Sequence, residues 1–189
     1  MSSHHIVREK QEPALLALGL DNFDDELLGQ LLEWSPTVIT TPQTAEKLNA
    51  TGIKIDWIIT NENTPPFQSD VKLMPFGGGS LVNVALKYLA DNGFPAVNIV
   101  TDEFNLADYT LYVPQINIVL FNGGKKIYPV HSGFNKWTPA NETIEVLTPA
   151  KKLEVTGLEK QGDDLYRTTG DGIFSLHFGN PFLFIAEEL

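Results

Sequence analysis

The residues best suited to chemistry follow a largely apolar segment, Ile53 to Ile59. Asn61, Glu62 and Asn63 come just after it, shortly before two prolines. Ligands of open parallel sheets bind in the loops at the carboxyl ends of the strands, so these three residues are candidate ligand contacts. An asparagine offers Mg²⁺ only a neutral amide oxygen in place of a carboxylate. A turn in which asparagine tolerates unusual backbone angles and bonds its own main chain is the alternative interpretation.

A glycine-rich loop stands before the next predicted helix. Gly77, Gly78 and Gly79 precede Ser80, a residue type that caps helix N-termini. Backbone amides at such a position can bind phosphate or another anion, so these four residues are also candidate ligand contacts. The loop lacks the lysine of a P-loop and the spacing of a dinucleotide-binding fingerprint. A flexible connection is therefore the alternative.

Acidic and histidine residues give little support for a metal ion. Asp102 and Glu103 follow a predicted strand and form either a ligand contact at the sheet edge or a solvated loop. His4 and His5 are adjacent near the N-terminus, where such pairs are usually solvated. No spacing of histidines and carboxylates specifies zinc. We therefore predict no metal site.

Strand and helix patterns alternate before residue 123. Helical spacing of apolar residues predicts helices from Asp24, over residues 42–50, and from Ser80 to Gly93. Strands of four to seven residues separated by helices are typical of βαβ units and a parallel sheet. Apolar runs predict these strands at 14–18, 38–39, 53–59, 96–100 and 116–121.

The remainder of the sequence has no helix pattern. Short strands separated by turn residues at this spacing predict a β-sandwich. The predicted fold class is therefore α/β, with an N-terminal parallel-sheet α/β domain at residues 1–123 and a C-terminal all-β sandwich domain at 124–189. The strand patterns of the second part lie at 126–130, 142–147, 153–155, 165–167, 173–178 and 182–185.

Composition argues against several classes of partner. The formal net charge is -11, from 13 basic and 24 acidic residues, so nucleic acid and anionic lipid are unfavourable partners. No apolar run approaches the roughly 20 residues that span a bilayer. The polar first residues lack the apolar centre of a signal peptide. The chain has no cysteine, so it forms no disulfide or thiolate zinc site. We expect a cytoplasmic protein.

The order of elements and several local stretches resemble the thiamine pyrophosphokinase family. The family's first half typically reads aDGGAN-L-elGIkPDlIiGDfDSi, and the corresponding stretch here is VITTPQTAEKLNATGIKIDWIITNENTP, at 38–65. The stretches 151–167 and 170–185 are similar to the family's closing β-strands. The resemblance therefore covers the chain in order. The residues shared in the first stretch are Ala45, Leu48, Gly52, Ile53, Asp56, Ile58 and Ile59.

The acidic motifs of that family are replaced here. Aspartates of its GDxDS loop and of a DxxxTD stretch support Mg²⁺ and the nucleotide phosphates. Asn61 and Asn63 stand at the first place, and residues 77–81 carry no carboxylate at the second. The family's DGG is Pro42-Gln43-Thr44, and no GGRxDH loop is present near Asp102. Because the metal must neutralise charge on the transferring phosphate, the resemblance implies a strong loss of activity.

Trp137 is a further candidate through the resemblance. In the family, the β half helps to bind thiamine at a dimer interface, and an aromatic face suits its cationic thiazolium through cation–π contact. The sequence pattern favours a different interpretation, in which Trp137 packs in the core of the sandwich. The resemblance also implies a homodimer.

The residues leave three functional hypotheses open. The first is a thiamine pyrophosphokinase-like pseudoenzyme that binds a thiamine- or nucleotide-like small molecule, with no certain cofactor. The second is an active thiamine pyrophosphokinase that transfers diphosphate from ATP to thiamine with Mg²⁺, using Glu62, Asp70 or Asp102. The third is a non-enzymatic homodimeric scaffold or partner-binding protein.

Overall fold

The computed structural model describes residues 12–62 and 68–189. The chain divides into two units, Met1–Ile118 (unit 1) and Val119–Leu189 (unit 2). Unit 1 alternates strands and helices, whereas unit 2 is built from strands. The mixed α/β character that the sequence predicts is therefore confirmed in its general form.

The strands of unit 1 run parallel. Their order in the sheet is β5-β1-β2-β3-β4, and each neighbouring pair is parallel. All five of these described strands therefore end at one edge of the sheet. In chain order, the elements are β1 Ala14–Ala17, α1 Asp25–Leu32, β2 Val38–Thr40, α2 Pro42–Ala50, β3 Trp57–Ile59, β4 Lys72–Met74, α3 Leu81–Asp91, β5 Ala96–Val100 and α4 Ala107–Thr110.

Local sequence signals account for most helix boundaries in unit 1. The Thr41 side chain accepts the N–H of Thr44 at 3.4 Å, and Pro42 occupies the first helical turn of α2. Ser80 occupies the predicted N-cap position of α3, although its side chain makes no capping hydrogen bond. No helix among the described residues is long and apolar enough to cross a membrane. The residues that α3 buries are Val82, Ala85, Leu86 and Leu89.

The strand predicted at 53–59 is shorter in the structure, where only β3 is extended. Ile55 is nevertheless buried. The side chain of Gln68 takes the place of a neighbouring strand as hydrogen-bond partner of the backbone here. Gln68 Oε1 accepts the N–H of Ile55 at 3.0 Å, and its Nε2 donates to the carbonyl of Ile53 at 2.8 Å. The apolar run therefore predicts the burial of Ile55 correctly, but it predicts a longer strand than the structure contains.

The paired strands of unit 2 are antiparallel. One run has the order β11-β12-β9-β14-β7-β6, and a separate three-stranded sheet has the order β10-β13-β8. Unit 2, which is described in full, contains no helix. In chain order, the strands are β6 Asn117–Asn122, β7 Lys125–Val130, β8 Phe134–Thr138, β9 Thr143–Val146, β10 Glu154–Thr156, β11 Leu158–Lys160, β12 Leu165–Thr168, β13 Gly172–His177 and β14 Leu183–Glu188.

Both groups of strands in unit 2 contribute to one apolar core. Strand β13 alternates between this core and solvent, as strands do with a period of two residues. Phe174 is 1% exposed and packs against Phe134 in a tilted arrangement, with ring centroids 5.9 Å apart, whereas Ile173 is 64% exposed. The buried residues of this core are Val130, Ile144, Val146, Tyr166, Phe174, Leu176, Phe178, Leu183 and Ile185.

Neighbouring substitutions on β13 test this alternation. Phe174→Ala should lower the free energy of unfolding by about 3–5 kcal/mol, because it removes a buried ring and leaves a cavity. Ile173→Ala, on the exposed face, should change it by less than about 0.5 kcal/mol at a concentration where the chain is monomeric. Urea unfolding of both variants measures the difference. Equal losses would contradict the assignment of the two faces.

Candidate functional site

A cavity of about 570 Å³ opens among the strand-end loops of unit 1. Its lining comes from the loops after β1 and β5, from α2, and from the beginning of α3. The volume lies within the range of small-molecule sites, roughly 300–1,000 Å³. The parallel order of the strands produces this convergence, because their carboxyl ends share one edge.

Gly19 and Asp102 bring the loops after β1 and β5 together. Asp102 Oδ2 accepts the N–H of Asp21 at 3.2 Å. A Cβ on residue 19 would lie 2.2 Å from Asp102 Oδ2 and 2.9 Å from the Asp102 backbone nitrogen. A glycine is therefore required at position 19 for this close approach, and the contact places the Asp102 carboxylate in the cavity wall.

Threonines on the second strand and helix tie α2 to the loop after β1. Thr40 Oγ1 donates to the carbonyl of Ala17 at 2.7 Å, and Thr44 Oγ1 donates to the carbonyl of Leu18 at 3.3 Å. Lys47, on α2, forms an ion pair with Asp21. The pair is about half exposed, so it adds little stability. It does place the ammonium group of Lys47 against the carboxylate of Asp21, which lines the same cavity.

The lining of the cavity is acidic. Asp21, Asp102, Glu103 and Asp108 contribute four carboxylates against the single Lys47, which gives a formal charge of -3. A phosphate about 6 Å from one unpaired carboxylate would meet a repulsion of roughly 3 kcal/mol at an effective dielectric constant of 20. The positive end of a helix such as α3 typically offers about 0.3–1 kcal/mol in return. Repulsion therefore dominates for a polyphosphate that carries no bound cation.

An aromatic pair forms another part of the lining. Phe104 and Tyr109 are stacked, with ring centroids 6.0 Å apart and an interplanar angle of 15°. Tyr109 is 1% exposed, and its hydroxyl has no hydrogen-bond partner among the described residues. Burial, reinforced by the charge of Asp108, raises the pKa of Tyr109 to about 12. The phenol is therefore neutral at physiological pH.

Solved structures of thiamine pyrophosphokinases share this architecture. The enzyme from Bacillus subtilis superposes with a TM-score of 0.63 at 12% identity, over 94% of this chain and 99% of that chain. The yeast enzyme has a TM-score of 0.66 at 10% identity, over 96% and 87% of the two chains. A protein from Lactobacillus plantarum has a TM-score of 0.66 at 14% identity, over 93% and 98%.

This chain has the fold of thiamine pyrophosphokinase. The sequence matches no protein-family model. No curated protein matches it either. At identities of 10–14%, the likeness shows the fold alone.

The structure brings only part of the predicted site together. Of the predicted candidates, Ser80, Asp102 and its neighbour Glu103 line the cavity of unit 1. Asn63 lies outside the described residues, as do His4 and His5. The candidates that do not line this cavity are Asn61, Glu62, Gly77, Gly78, Gly79 and Trp137.

Asn61 binds the backbone of the glycine-rich loop. Its Oδ1 accepts the N–H groups of Phe76 and Gly77, at 3.0 and 2.9 Å. Its Nδ2 donates to the carbonyl of Gly77 at 2.6 Å. An ionised aspartate could not make the third bond, because it has no donor. The Asn61 amide therefore holds a loop that is distant in sequence, which is neither the predicted ligand contact nor the predicted turn with its own main chain.

Trp137 does not pack in the core of unit 2, so that prediction is wrong. It is 61% exposed and lies opposite Ile173 on the outer face of the three-stranded sheet. The neighbouring Thr138 takes the buried position, because successive side chains of β8 alternate between the two faces. Trp137 lines a smaller cavity of about 210 Å³ in unit 2, together with Lys136 and Glu142 among others.

The sequence interpretation missed several cavity residues. A glycine and an aspartate, Gly19 and Asp21, follow the predicted strand at 14–18, and this strand-end position was a usable signal. Asp108 and Tyr109 lie on α4, which has four residues and no periodic pattern of its own. Only the fold brings them to the cavity.

The donor set at this edge does not fit a Mg²⁺–nucleotide complex. Mg²⁺ prefers octahedral oxygen ligands that include free carboxylates. Asp21 is paired with Lys47, Asp102 Oδ2 accepts a backbone N–H, and both ends of the Asn61 amide are bonded to the loop, so only Glu103 and Asp108 of the lining remain as carboxylates without such a contact. Within residues 12–62 and 68–189, no group of three histidine or acidic residues is arranged to hold a metal ion.

Replacement of Gly19 tests the contact between the loops after β1 and β5. Gly19→Ala should lower the free energy of unfolding by about 1–3 kcal/mol, because its Cβ would overlap Asp102. Gly29→Ala is the matched control: it lies within α1, no atom is within 4 Å of its added Cβ, and it should stabilise by about 0.5–1 kcal/mol. Chemical denaturation measures both. A harmless Gly19→Ala would contradict the geometry of this wall.

Replacement of Asn61 tests its bonds to the glycine-rich loop. Asn61→Ala should increase hydrogen exchange at the amides of Phe76 and Gly77, with a stability loss of about 1 kcal/mol. Gln30→Ala, at an exposed amide side chain on α1, should leave exchange at these two sites unchanged. Exchange measured by NMR gives both results. Unaltered protection in Asn61→Ala would show that the loop is held by other contacts.

Proposed function

We propose that this chain is a divergent thiamine pyrophosphokinase-like protein that binds a small molecule in the cavity of unit 1 and transfers diphosphate poorly or not at all. The observation that carries this proposal is the environment of Asn61. It stands where the resembled family places an aspartate of its metal site, and its amide is committed to the backbone of residues 76 and 77.

The lack of a metal-holding group among the described residues supports the loss of transfer. In metal-assisted phosphoryl transfer, cations neutralise the charge that develops on the phosphate oxygens. Within residues 12–62 and 68–189, no group of three histidine or acidic residues is arranged to hold such a cation, and the one lysine of the cavity already pairs with Asp21. An active enzyme would have to find its metal ligands among Glu62, Asp70 and Asp102. Neither Glu62 nor Asp70 lines the cavity.

The cavity itself supports binding as the retained property. In its wall, residue 19 lies so close to Asp102 that a Cβ at this position would overlap it. The wall also includes the buried phenol of Tyr109, whose hydroxyl has no hydrogen-bond partner among the described residues. The physiological ligand proposed here is thiamine-like or nucleotide-like, in keeping with the fold. We retain a cytoplasmic location as part of the proposal, since a chain without cysteine suits a reducing compartment.

A homodimer is a second element of the proposal. Trp137 and Ile173 are paired across β8 and β13, and both are mostly exposed on the outer face of their sheet. An exposed aromatic beside an exposed aliphatic residue is typical of a surface that a partner covers. This pair would also serve the scaffold hypothesis. Light scattering that gives the mass of one chain at micromolar concentration would count against the dimer.

Turnover by the purified chain tests the proposal. With thiamine, ATP and Mg²⁺, we expect thiamine diphosphate and AMP to form no faster than in a protein-free control. Asn61→Asp should not restore transfer, because one carboxylate at this position cannot rebuild the metal site. Thiamine alone should raise the melting temperature, since a ligand that binds only the folded state stabilises it by mass action.

One result would contradict the proposed loss of transfer, and another would contradict the proposed binding of a small molecule. Steady production of AMP and thiamine diphosphate by the wild-type chain would show a working enzyme. A melting temperature that is unchanged by thiamine, its phosphates and nucleotides would favour the scaffold over the binding protein.

A further inference from the structure

We propose that the N-terminal segment of this chain, residues 6–10, docks on the apolar face of α1 and places its basic side chains beside the acids of that helix. The inference concerns a surface of unit 1 and does not depend on the proposed function. Three observations carry it: the apolar face of α1 is incompletely covered, the charge around it is acidic and unpaired, and the described chain begins beside the C-terminal end of the helix.

Helix α1 leaves its apolar face partly exposed. Its four leucines recur at helical spacing, but each is only partly buried, and α1 contains no buried residue. By contrast, α2 buries three residues and α3 buries four. Apolar surface of this kind, rimmed by polar residues, is typical of a place that another segment or partner covers. The α1 patch consists of Leu27, Leu28, Leu31, Leu32 and the adjoining Trp34, which is 67% exposed.

The charge around the α1 patch is acidic. Asp25 and Glu26 occupy the first turn of α1 and Glu33 its C-cap, and none of the three takes part in an ion pair found among the described residues. No lysine or arginine stands between Lys10 and Lys47 in the sequence. Glu33 adds a negative charge to the negative end of the helix dipole, and no basic residue lies in the last turn. The patch therefore favours a basic occupant, whereas a second copy of α1 would bring like charges together.

The described chain begins beside the end of α1 that carries Glu33. Strands β1 and β2 are parallel, with Leu15 opposite Val38, and the N–H of Leu15 donates to the carbonyl of Thr37 at 2.9 Å. The residues before β1 therefore start next to the turn that joins α1 to β2. Five extended residues span up to about 17 Å. The eight residues of α1 measure about 12 Å, so residues 6–10 are long enough to run along the helix.

The side chains of the segment complement the α1 patch. Its sequence is IVREK, and it lies outside the described residues. In the extended backbone that we propose, alternate side chains share a face, which groups Ile6 with Arg8 and Lys10. That face offers one apolar side chain to the leucines and two cations to the acids. Lys10 is the nearer of the two cations to the described chain, so it is the one that would meet Glu33.

Paramagnetic relaxation measured by NMR on the full chain tests the contact. The chain has no cysteine, so Ser3→Cys supplies a single site for a nitroxide label next to the segment. We expect the label to broaden the amide resonances of residues 27–34. The double variant Arg8→Glu, Lys10→Glu should reduce this broadening by about half or more, because it replaces attraction by repulsion. Lys151→Glu with Lys152→Glu makes the same charge change at an exposed pair of unit 2 and should leave the broadening as it is.

A second substitution tests the apolar side of the contact. Trp34→Ser removes the exposed ring of the α1 patch, so it should also reduce the broadening. Trp137→Ser is the matched control, since it removes a tryptophan of similar exposure from unit 2 and should have no effect on these amides. Both tryptophans are exposed, so neither change should unfold the chain.

A mixed sample distinguishes this occupant from a second copy. Chains that carry the nitroxide are mixed with isotope-labelled chains that lack it, so any broadening arises between molecules. Broadening in the mixture as strong as that within one chain would place the segment on a second copy and overturn the inference. Resonances of residues 27–34 that the label leaves sharp would overturn it as well, and would assign the patch to a different partner. So would broadening that neither the charge reversal nor Trp34→Ser reduces.

Discussion

The contact between Gly19 and Asp102 is the constraint on which the site depends. The carboxylate of Asp102 occupies the space that the Cβ of any other residue at position 19 would need. This close approach joins the loops that follow two neighbouring parallel strands, β1 and β5. Asp102 then bonds the backbone of Asp21, and Asp21 pairs with Lys47 on α2. The absence of a side chain at position 19 therefore allows the two loops to meet and places the Asp102 carboxylate in the cavity wall.

The same sheet edge carries different side chains from those that the family resemblance leads us to expect. In the resembled family, aspartates at this edge support Mg²⁺ and the phosphates of a nucleotide. Here Asn61 both donates to and accepts from the glycine-rich loop, a task that an ionised aspartate cannot perform. The remaining acids stand elsewhere on the rim, beside an aromatic pair. The fold thus provides the position of a site, and the individual side chains determine what the site can bind.

The sequence was informative wherever a signal was local. The helical spacing of Val82, Ala85, Leu86 and Leu89 predicted α3, and Thr41-Pro42 predicted the start of α2. The prediction of Trp137 in the core is wrong because no strand is predicted over residues 134–138, where the alternation of β8 exposes this side chain. The strand predicted at 53–59 is longer than β3 because the apolar residues before β3 are buried without pairing to a neighbouring strand. The side chain of Gln68 bonds the backbone there instead.

The composition of the cavity could not be predicted in the same way. Its acids come from three separate segments, at residue 21, residues 102–103 and residue 108, and no spacing in the sequence links them. The close approach at Gly19 is likewise a property of two strands that are 78 residues apart in the chain and neighbours only in the sheet. The strand-end position of Asn61 predicts a candidate ligand contact, but its hydrogen-bond partners follow only from the position of the glycine-rich loop in the fold.

The most direct test of the account is a comparison of backbone amide NMR shifts on adding thiamine or Mg²⁺–ATP to the full chain. The central claim is that the strand-end cavity of unit 1 binds a small organic ligand and does not accept a metal–nucleotide. We expect thiamine to shift the amides of residues 18–21 and 101–109, and Mg²⁺–ATP at the same concentration to leave them unmoved. Shifts at these amides with Mg²⁺–ATP, and none with thiamine, would contradict the account.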